Sequence, residues 1–121
     1  MTTEHTDLSI INRAKEDDVQ FVQLQFTDIN GNIKAVTIPA ERFPESIEKG
    51  IWFDGSSIEG FTRICESDMY LKPDISTYAL LPWETEAHTA RLFCDVHMTD
   101  GSPFEGYPRY ILKRALKNAR A

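Results

Sequence analysis

Hydrophobic residues change their spacing along the chain, and each change predicts a new element. At the N-terminus, Leu8, Ile11 and Ala14 recur at helical spacing, which predicts a short amphipathic helix over Leu8–Asp18. Two β-rich runs follow, Val19–Phe26 and Ile33–Ile38. The chain is therefore expected to open with a helix and to continue as a pair of strands.

Asn30-Gly31 lies between those two runs and is a strong local hairpin signal. A type I′ turn is expected there, because that turn needs positive φ at both central residues. Proline then marks the next helix, which is predicted from Phe43 or Pro44 to Lys49, with Gly50 at its C-cap.

The rest of the chain predicts short strands and a final helix. The strands are expected at Asp68–Leu71, Thr77–Leu81 and Ala90–Val96, and the helix at Pro108–Ala121. This helix has no stop signal, which indicates a chain that has been cut. The order of elements fits an α+β fold, a β-grasp-like mixed sheet with a crossing helix. Periodicity alone does not distinguish a β-grasp from other α+β folds.

Composition narrows the function classes. The chain has 121 residues, enough for one modest core, and a formal net charge of −6. An acidic chain without a basic stripe is a poor candidate for binding nucleic acid or an anionic membrane. The sequence shows no signal-peptide pattern and no apolar run of membrane length, so a cytoplasmic location is expected. Cys65 and Cys94 are expected to be reduced thiols, and the three histidines show no metal-site spacing.

Chemistry is concentrated in two adjoining stretches, Phe53–Arg63 and Glu66–Leu71. Two glycines and two serines in the first would let a loop approach a ligand closely. On these residues alone, an ordinary polar loop whose aspartate caps a turn is the favoured interpretation. The charged residues of the two stretches are Asp54, Glu59, Arg63, Glu66 and Asp68.

These stretches resemble the N-terminal signature of type I glutamine synthetases, in which an aromatic residue and Asp-Gly-Ser-Ser precede Glu-Ser-Asp. Flanking segments agree in order: Phe26-Thr27-Asp28, Gly31 and Lys34, Pro73-Asp74, Leu81-Pro82-Trp83, Asp95-Val96, and Pro103-Phe104 through Pro108-Arg109. The resemblance runs from about Val19 onward. After the N-terminal helix, set at 1–17, it implies a β-grasp domain at 18–104 and the truncated start of a catalytic domain at 105–121.

The resemblance also implies an activity for the full-length protein. Such enzymes activate glutamate with ATP and displace the phosphate with ammonia, using two Mg²⁺ or Mn²⁺ ions bound in the C-terminal domain. Their subunits form two stacked hexameric rings, and the N-terminal domain of one subunit supplies the Asp-Gly-Ser-Ser loop to its neighbour's active site. The metal-binding and ATP-binding parts would lie beyond Ala121, so the fragment alone is expected to be inactive and to bind no cofactor.

Carried onto this sequence, the resemblance places Asp54 at the ammonium site. Selecting a small cation needs a fixed negative charge, whereas a free aspartate with a pKa of about 3.9 is a weak base. A binding role for Asp54 is therefore favoured over a proton-abstracting one. Ser57 would orient Asp54 or a ligand group, although a hydroxyl that only caps the turn fits equally well.

Three more residues receive roles from the resemblance. Asp68 would help lock the loop, or would simply begin a strand and pair across the sheet. Arg63 would take part in feedback inhibition by glutamine, with a surface salt bridge as the alternative. Arg91 resembles a position used for activation by 2-oxoglutarate at a subunit interface. Outside the rings, residues 55–62 are expected to be mobile.

Two other functions remain open at this point. A free-standing β-grasp module could dock on glutamine synthetase as a regulator, and an unrelated ubiquitin-like interaction domain would make the signature spacing a coincidence. A gene that continues past Ala121 into a glutamate-rich catalytic domain would decide for the synthetase.

Overall fold

One mixed β-sheet organises the chain. The computed structural model describes residues 2–28, 30–54, 68–84 and 86–120, with the backbone alone for 2–8, 54 and 68. The helices are α1 (Thr2–Glu16), α2 (Phe43–Lys49) and α3 (Pro108–Arg120). The strands are β1 (Phe21–Thr27), β2 (Ile33–Pro39), β3 (Ile51–Asp54), β4 (Asp68–Pro73), β5 (Ala79–Leu80) and β6 (Thr89–His97).

The strand order is β2-β1-β6-β4-β3, and β5 pairs with β6 to one side of this path. The β1–β6 pair is parallel, whereas β1–β2, β3–β4, β4–β6 and β5–β6 are antiparallel. Helix α2 buries Phe43 and Ile47 and lies against β4 and α1. The predicted α+β architecture with a mixed sheet and a crossing helix is confirmed.

The core lies on one face of the sheet. Along the two central strands every second residue is buried, because successive side chains of a strand point to opposite faces. Val22 and Leu24 of β1 and Leu92 of β6 are completely inaccessible to solvent. Helices α1 and α2 cover this face with Ile10, Ala14, Phe43 and Ile47. The opposite face carries the half-buried polar residues Gln23 and Gln25.

The first hairpin is present, but its predicted type I′ turn is wrong. The Asp28 N–H donates to the Asn32 carbonyl at 3.0 Å, and the Gly31 N–H donates to the Asp28 carbonyl at 3.1 Å. Gly31 has φ 82°, and Asp18 is the only described non-glycine residue with positive φ, so Asn30 does not adopt it. The connection is a three-residue loop with glycine in the left-handed region.

Asp28 explains why the longer loop forms. Its side chain is buried and accepts hydrogen bonds from the backbone amides of Asn30 and Asn32, at 3.0 and 2.9 Å. Burial acts to raise the pKa of Asp28, but these hydrogen bonds and the Lys34 ammonium lower it overall. The aspartate therefore organises the turn, a role that the Asn-Gly pair does not reveal.

Helix α1 and strand β5 also differ from prediction. Helix α1 begins at Thr2 and ends at Glu16, earlier at both ends than predicted. The strand predicted at Thr77–Leu81 shortens to β5, because a 3₁₀ turn occupies Ile75–Thr77. The Asp74 carboxylate caps this turn by accepting a hydrogen bond from the Ser76 amide at 3.1 Å.

Helix α3 is held to the rest of the fold at its N-terminal end. The Tyr107 hydroxyl, just before the helix, donates to the Cys94 carbonyl at 2.7 Å. The Arg109 guanidinium contacts Asp95 at 2.6 Å and Asp74 at 2.7 Å. None of the helix's own residues is buried, and Leu112 is 60% exposed. Within the described residues, no helix is long and apolar enough to cross a bilayer.

Candidate functional site

The site predicted from sequence centres on the β3–β4 pair, and β3 itself was not predicted. The expectation was a loop beginning at Asp54, but Ile51-Trp52-Phe53 consists of residues that favour strands. The register places Asp54 directly opposite Asp68. Two of the predicted site residues therefore meet at the open end of one antiparallel pair, from which residues 55–67 leave and to which they return.

The inner face of this pair is fixed by the hydrophobic core. Met69 and Leu71 of β4 are fully buried, and Ile51, the register partner of Leu71, is 8% exposed. The Phe53 ring lies 5.3 Å from the Phe26 ring of β1. The curled sheet thus brings β1 and β3 together although two strands separate them in the sheet order.

The outer face carries an aromatic ladder made of Trp52, Tyr70 and His97. These residues are register partners on β3, β4 and β6. The ring centroids of Trp52 and Tyr70 are 5.1 Å apart, and those of Tyr70 and His97 are 5.3 Å apart. The His97 ring nitrogen Nδ1 lies 3.0 Å from the Gly101 carbonyl oxygen. Cross-strand aromatic pairs of this kind stabilise a sheet.

Gly50 connects α2 to β3 by passing close to Tyr70. Its φ of 75° and ψ of 177° lie in a region that only glycine populates readily. A Cβ atom there would lie 2.7 Å from Tyr70 Cδ2 and 2.9 Å from the Leu71 carbonyl oxygen. Gly50 was predicted as the C-cap of the helix. The close approach to Tyr70 is a second reason why position 50 requires glycine.

The predicted effector residue Arg91 lies elsewhere. It is on β6 opposite Ala79 of β5, and its guanidinium donates to the Thr77 carbonyl and lies 4.3 Å over the Phe93 ring. Along the strand direction it is roughly 25 Å from the Asp54–Asp68 pair, counting about eight residues at 3.3 Å each. The structure therefore does not bring Arg91 together with Asp54.

Several sequence predictions lie outside the described residues. Ser57 and Arg63 belong to this group, as does Cys65. The expectation of mobility at residues 55–62 also lies outside them. Cys94, by contrast, is a free, buried thiol, and burial raises its pKa well above the usual range. That placement agrees with the expectation of a packed, reduced cysteine.

The described residues do not fit a metal centre. No group of three or more potential metal-ligating side chains occurs among them. The carboxylates of Asp74 and Asp95 are occupied by Arg109 and Lys113. Partial burial acts to raise the pKa of Asp74, but hydrogen bonds from Ser76 and Arg109 lower it overall. This cluster is an ion-pair network that attaches α3.

Residues 18–99 match the family described as glutamine synthetase, β-grasp domain. The chain belongs to this family. The matched segment begins just before β1 and ends just after β6, so it contains the whole sheet. As a glutamine synthetase β-grasp domain, the chain has the fold that its sequence resemblance implied.

Curated relatives agree with the assignment. The chain is 58% identical over 106 residues to glutamine synthetase of Thermotoga maritima, covering 87% of this chain and 24% of that protein. It is 53% identical over 105 residues to glutamine synthetase of Staphylococcus aureus, covering 86% of this chain and 24% of that protein. The chain thus spans about a quarter of the length of these relatives.

Solved structures share the fold. The GmaS/ADP complex superposes with a TM-score of 0.82 at 29% identity, covering 92% of this chain and 25% of that one. The cryo-EM structure of Plasmodium falciparum glutamine synthetase has a TM-score of 0.82 at 24% identity, covering 94% of this chain and 22% of that one. At that identity the second likeness concerns the fold alone. Both indicate that the β-grasp domain occurs within longer chains.

Sequence reasoning missed the aromatic ladder beside the Asp54–Asp68 pair. Tyr70 was included only within the stretch Glu66–Leu71, and Trp52 was not among the predicted site residues. The available signal was the apolar triplet Ile51-Trp52-Phe53 directly after a glycine, which is typical of a short strand. Their mutual contact depends on register, which no local pattern specifies.

Proposed function

We propose that this chain is the N-terminal part of a glutamine synthetase that converts glutamate, ammonia and ATP into glutamine, ADP and phosphate. The family assignment over residues 18–99 supports the proposal, as do relatives named glutamine synthetase at 58% and 53% identity. The observation that carries the site is the Asp54–Asp68 register pair. It fixes both ends of the segment that contains the Asp-Gly-Ser-Ser sequence.

In this proposal the segment acts in a neighbouring subunit. The β3–β4 pair lies at an edge of the sheet, where another subunit could approach Asp54. Asp54 would bind ammonium there, because a carboxylate supplies the charge and acceptor oxygens that a small cation needs. Its role would be to hold the ammonium and orient it toward the acyl phosphate, while a separate group accepts the proton.

The other site residues have supporting roles. Asp68 would keep the returning end of the segment in register, and Ser57 would orient Asp54 or a ligand group. Arg63 would contribute to inhibition by glutamine. At Arg91, a carboxylate effector such as 2-oxoglutarate would compete with the Thr77 carbonyl for the guanidinium. The two regulatory assignments concern separate surfaces, since Arg91 is remote from β3.

The full-length protein would form two stacked hexameric rings and would use ATP with Mg²⁺ or Mn²⁺. We assign none of these groups to the described residues, among which no group of three or more potential metal-ligating side chains occurs. Asp28 organises the first hairpin, and Asp74 and Asp95 bind Arg109. The contribution of this domain is therefore to bind and orient the nitrogen substrate, and the chain alone would be inactive.

The division into residues 1–17, 18–104 and 105–121 belongs to the same proposal. Phe104 is buried in the core, so the β-grasp domain extends at least that far. Helix α3 contributes no buried residue, and Ile111, Leu112 and Leu116 are 48–60% exposed. Such a row of exposed apolar residues is expected to pack against further structure. We propose that α3 begins the catalytic domain.

A mixed-oligomer experiment tests the shared site. Subunits carrying Asp54→Ala are assembled with subunits inactivated in the catalytic domain, after each variant alone is shown to be inactive. If sites are shared, some interfaces combine an intact Asp54 with an intact catalytic domain, and activity returns. Activity that stays absent in verified mixed rings would contradict action in a neighbouring subunit. Glutamine formation by the 121-residue chain alone would contradict its predicted inactivity.

A further inference from the structure

We infer that Tyr70 is a positioning residue for Asp54: its ring holds the edge strand β3 in register with β4 and so fixes where Asp54 lies. The inference rests on the proposed function, because it concerns the carboxylate assigned to ammonium.

Strand β3 needs such support because of its place in the fold. It has four residues, and in the described sheet it is the terminal strand, paired with β4 alone. A short edge strand has few backbone hydrogen bonds and opens easily. Side-chain pairs across the strands therefore contribute a large share of what keeps β3 in place.

Tyr70 makes those contacts on three sides. Its ring lies 5.1 Å from the Trp52 ring on β3 and 5.3 Å from the His97 ring on β6. The Gly50 backbone, where β3 begins, passes against the edge of the same ring. Trp52 and Tyr70 are each two residues from the Asp54–Asp68 pair, so the support is adjacent to the site.

The contact with Gly50 also opposes a change of register. If β3 slipped by one residue, Lys49 or Ile51 would take the place of Gly50. A Cβ atom at that place would lie 2.7 Å from Tyr70 Cδ2, which is closer than packed atoms allow. Burial of Ile51 and Phe53 also holds β3 to the core, but such packing is less directional than a close backbone approach. Tyr70 therefore selects the register that sets Asp54 opposite Asp68.

The test uses the full-length synthetase with Tyr70→Ala, Tyr70→Phe, Trp52→Ala and Asp54→Ala. Trp83→Ala is the control, since Trp83 is an exposed tryptophan in the turn after β5. Two quantities are measured on intact oligomers: hydrogen exchange of amides in 51–54 and 69–71, and the KM values for ammonium and glutamate. Trp52→Ala keeps the test decisive if Tyr70→Ala fails to fold, because Trp52 is 55% exposed.

We expect Tyr70→Ala and Trp52→Ala to exchange faster in these segments and to raise the ammonium KM by about tenfold, with little change for glutamate. Tyr70→Phe, which retains the ring, and Trp83→Ala should resemble wild type. Unchanged hydrogen exchange in Tyr70→Ala would overturn the inference, whatever the ammonium KM of Asp54→Ala. If Tyr70→Ala does not fold, unchanged exchange in Trp52→Ala would overturn it in the same way. Faster exchange with an unchanged ammonium KM would also overturn it, provided that Asp54→Ala raises that KM. An unaltered ammonium KM in Asp54→Ala would instead overturn the proposed function, and the positioning role with it.

Discussion

Asp54 and Asp68 are register partners at the end of the β3–β4 ladder, although residues 55–67 separate them along the chain. Antiparallel partners have Cα atoms roughly 4.5–5.5 Å apart, so the segment between them begins and ends at nearly the same point. The sequence signature that runs from Asp-Gly-Ser-Ser to Glu-Ser-Asp therefore has its first and last residues side by side in the sheet.

Gly50→Ala should destabilise the domain by about 2–4 kcal/mol. The substitution combines an unfavourable φ of 75° with a Cβ placed 2.7 Å from Tyr70 Cδ2. Gly31→Ala is the matched control, because Gly31 has φ 82° but no atom within 4 Å of the added Cβ. It should cost about 1 kcal/mol, from backbone strain alone. Urea unfolding of both variants measures the difference, and equal losses would contradict the close approach at Gly50.

Tyr107→Phe should destabilise the domain by about 1–2 kcal/mol. The Tyr107 hydroxyl is buried and donates to the Cys94 carbonyl at 2.7 Å. Removing the hydroxyl leaves the carbonyl without that donor. Tyr110→Phe, at a half-buried tyrosine of α3, is the control and should change stability little. Urea unfolding measures both variants. An unchanged free energy of unfolding in Tyr107→Phe would show that the hydrogen bond makes no net contribution to stability.

Acid should weaken the attachment of α3 through Asp74. Despite partial burial, hydrogen bonds from Ser76 and Arg109 hold the pKa of Asp74 below the ordinary aspartate value of 3.8. The folded state therefore binds fewer protons at this group than the unfolded chain, so stability rises with pH in that range. The stability that the Asp74 carboxylate contributes is fully present above the ordinary pKa of 3.8. It is lost as the pH falls through the lowered pKa of the folded state.

Asp74→Asn isolates this effect, because asparagine can still cap the 3₁₀ turn but cannot pair with Arg109 as a charge. The free energy of unfolding, followed from pH 6 downward, should fall less steeply below about pH 4 in the variant than in wild type. Asp18→Asn, at the exposed residue after α1, is the control and should keep the wild-type slope. Identical slopes for wild type and Asp74→Asn would show that the ion pair contributes no pH-dependent stability.

The sequence predicted the architecture well where local signals were strong. Helix α2 has the predicted bounds of Phe43 to Lys49, since proline, periodicity and Gly50 all act within one short segment. The first hairpin was predicted from Asn30-Gly31, but its turn type was not. The buried Asp28 carboxylate decides the loop, and burial is a tertiary property that the local sequence does not contain.

The candidate site residues were named from the sequence, but their arrangement was not predicted. Asp54 and Asp68 were identified through the family resemblance, and their pairing followed only from the strand register. The aromatic ladder centred on Tyr70 joins three strands, β3, β4 and β6, that are distant in sequence. The separation of Arg91 from Asp54 likewise reflects where β6 lies in the sheet order. Those relationships are non-local, so residue patterns alone could not supply them.

The most direct measurement is an ammonium titration of the full-length synthetase, wild type against Asp54→Ala. Asp100→Ala, at an exposed aspartate in the turn after β6, serves as the control variant. If Asp54 binds ammonium, Asp54→Ala should either raise the ammonium KM by about tenfold or more, or abolish turnover. The oligomer and the glutamate KM should be preserved. An unchanged ammonium dependence in an intact Asp54→Ala oligomer would contradict the account, and the segment after β3 would then have only a structural role.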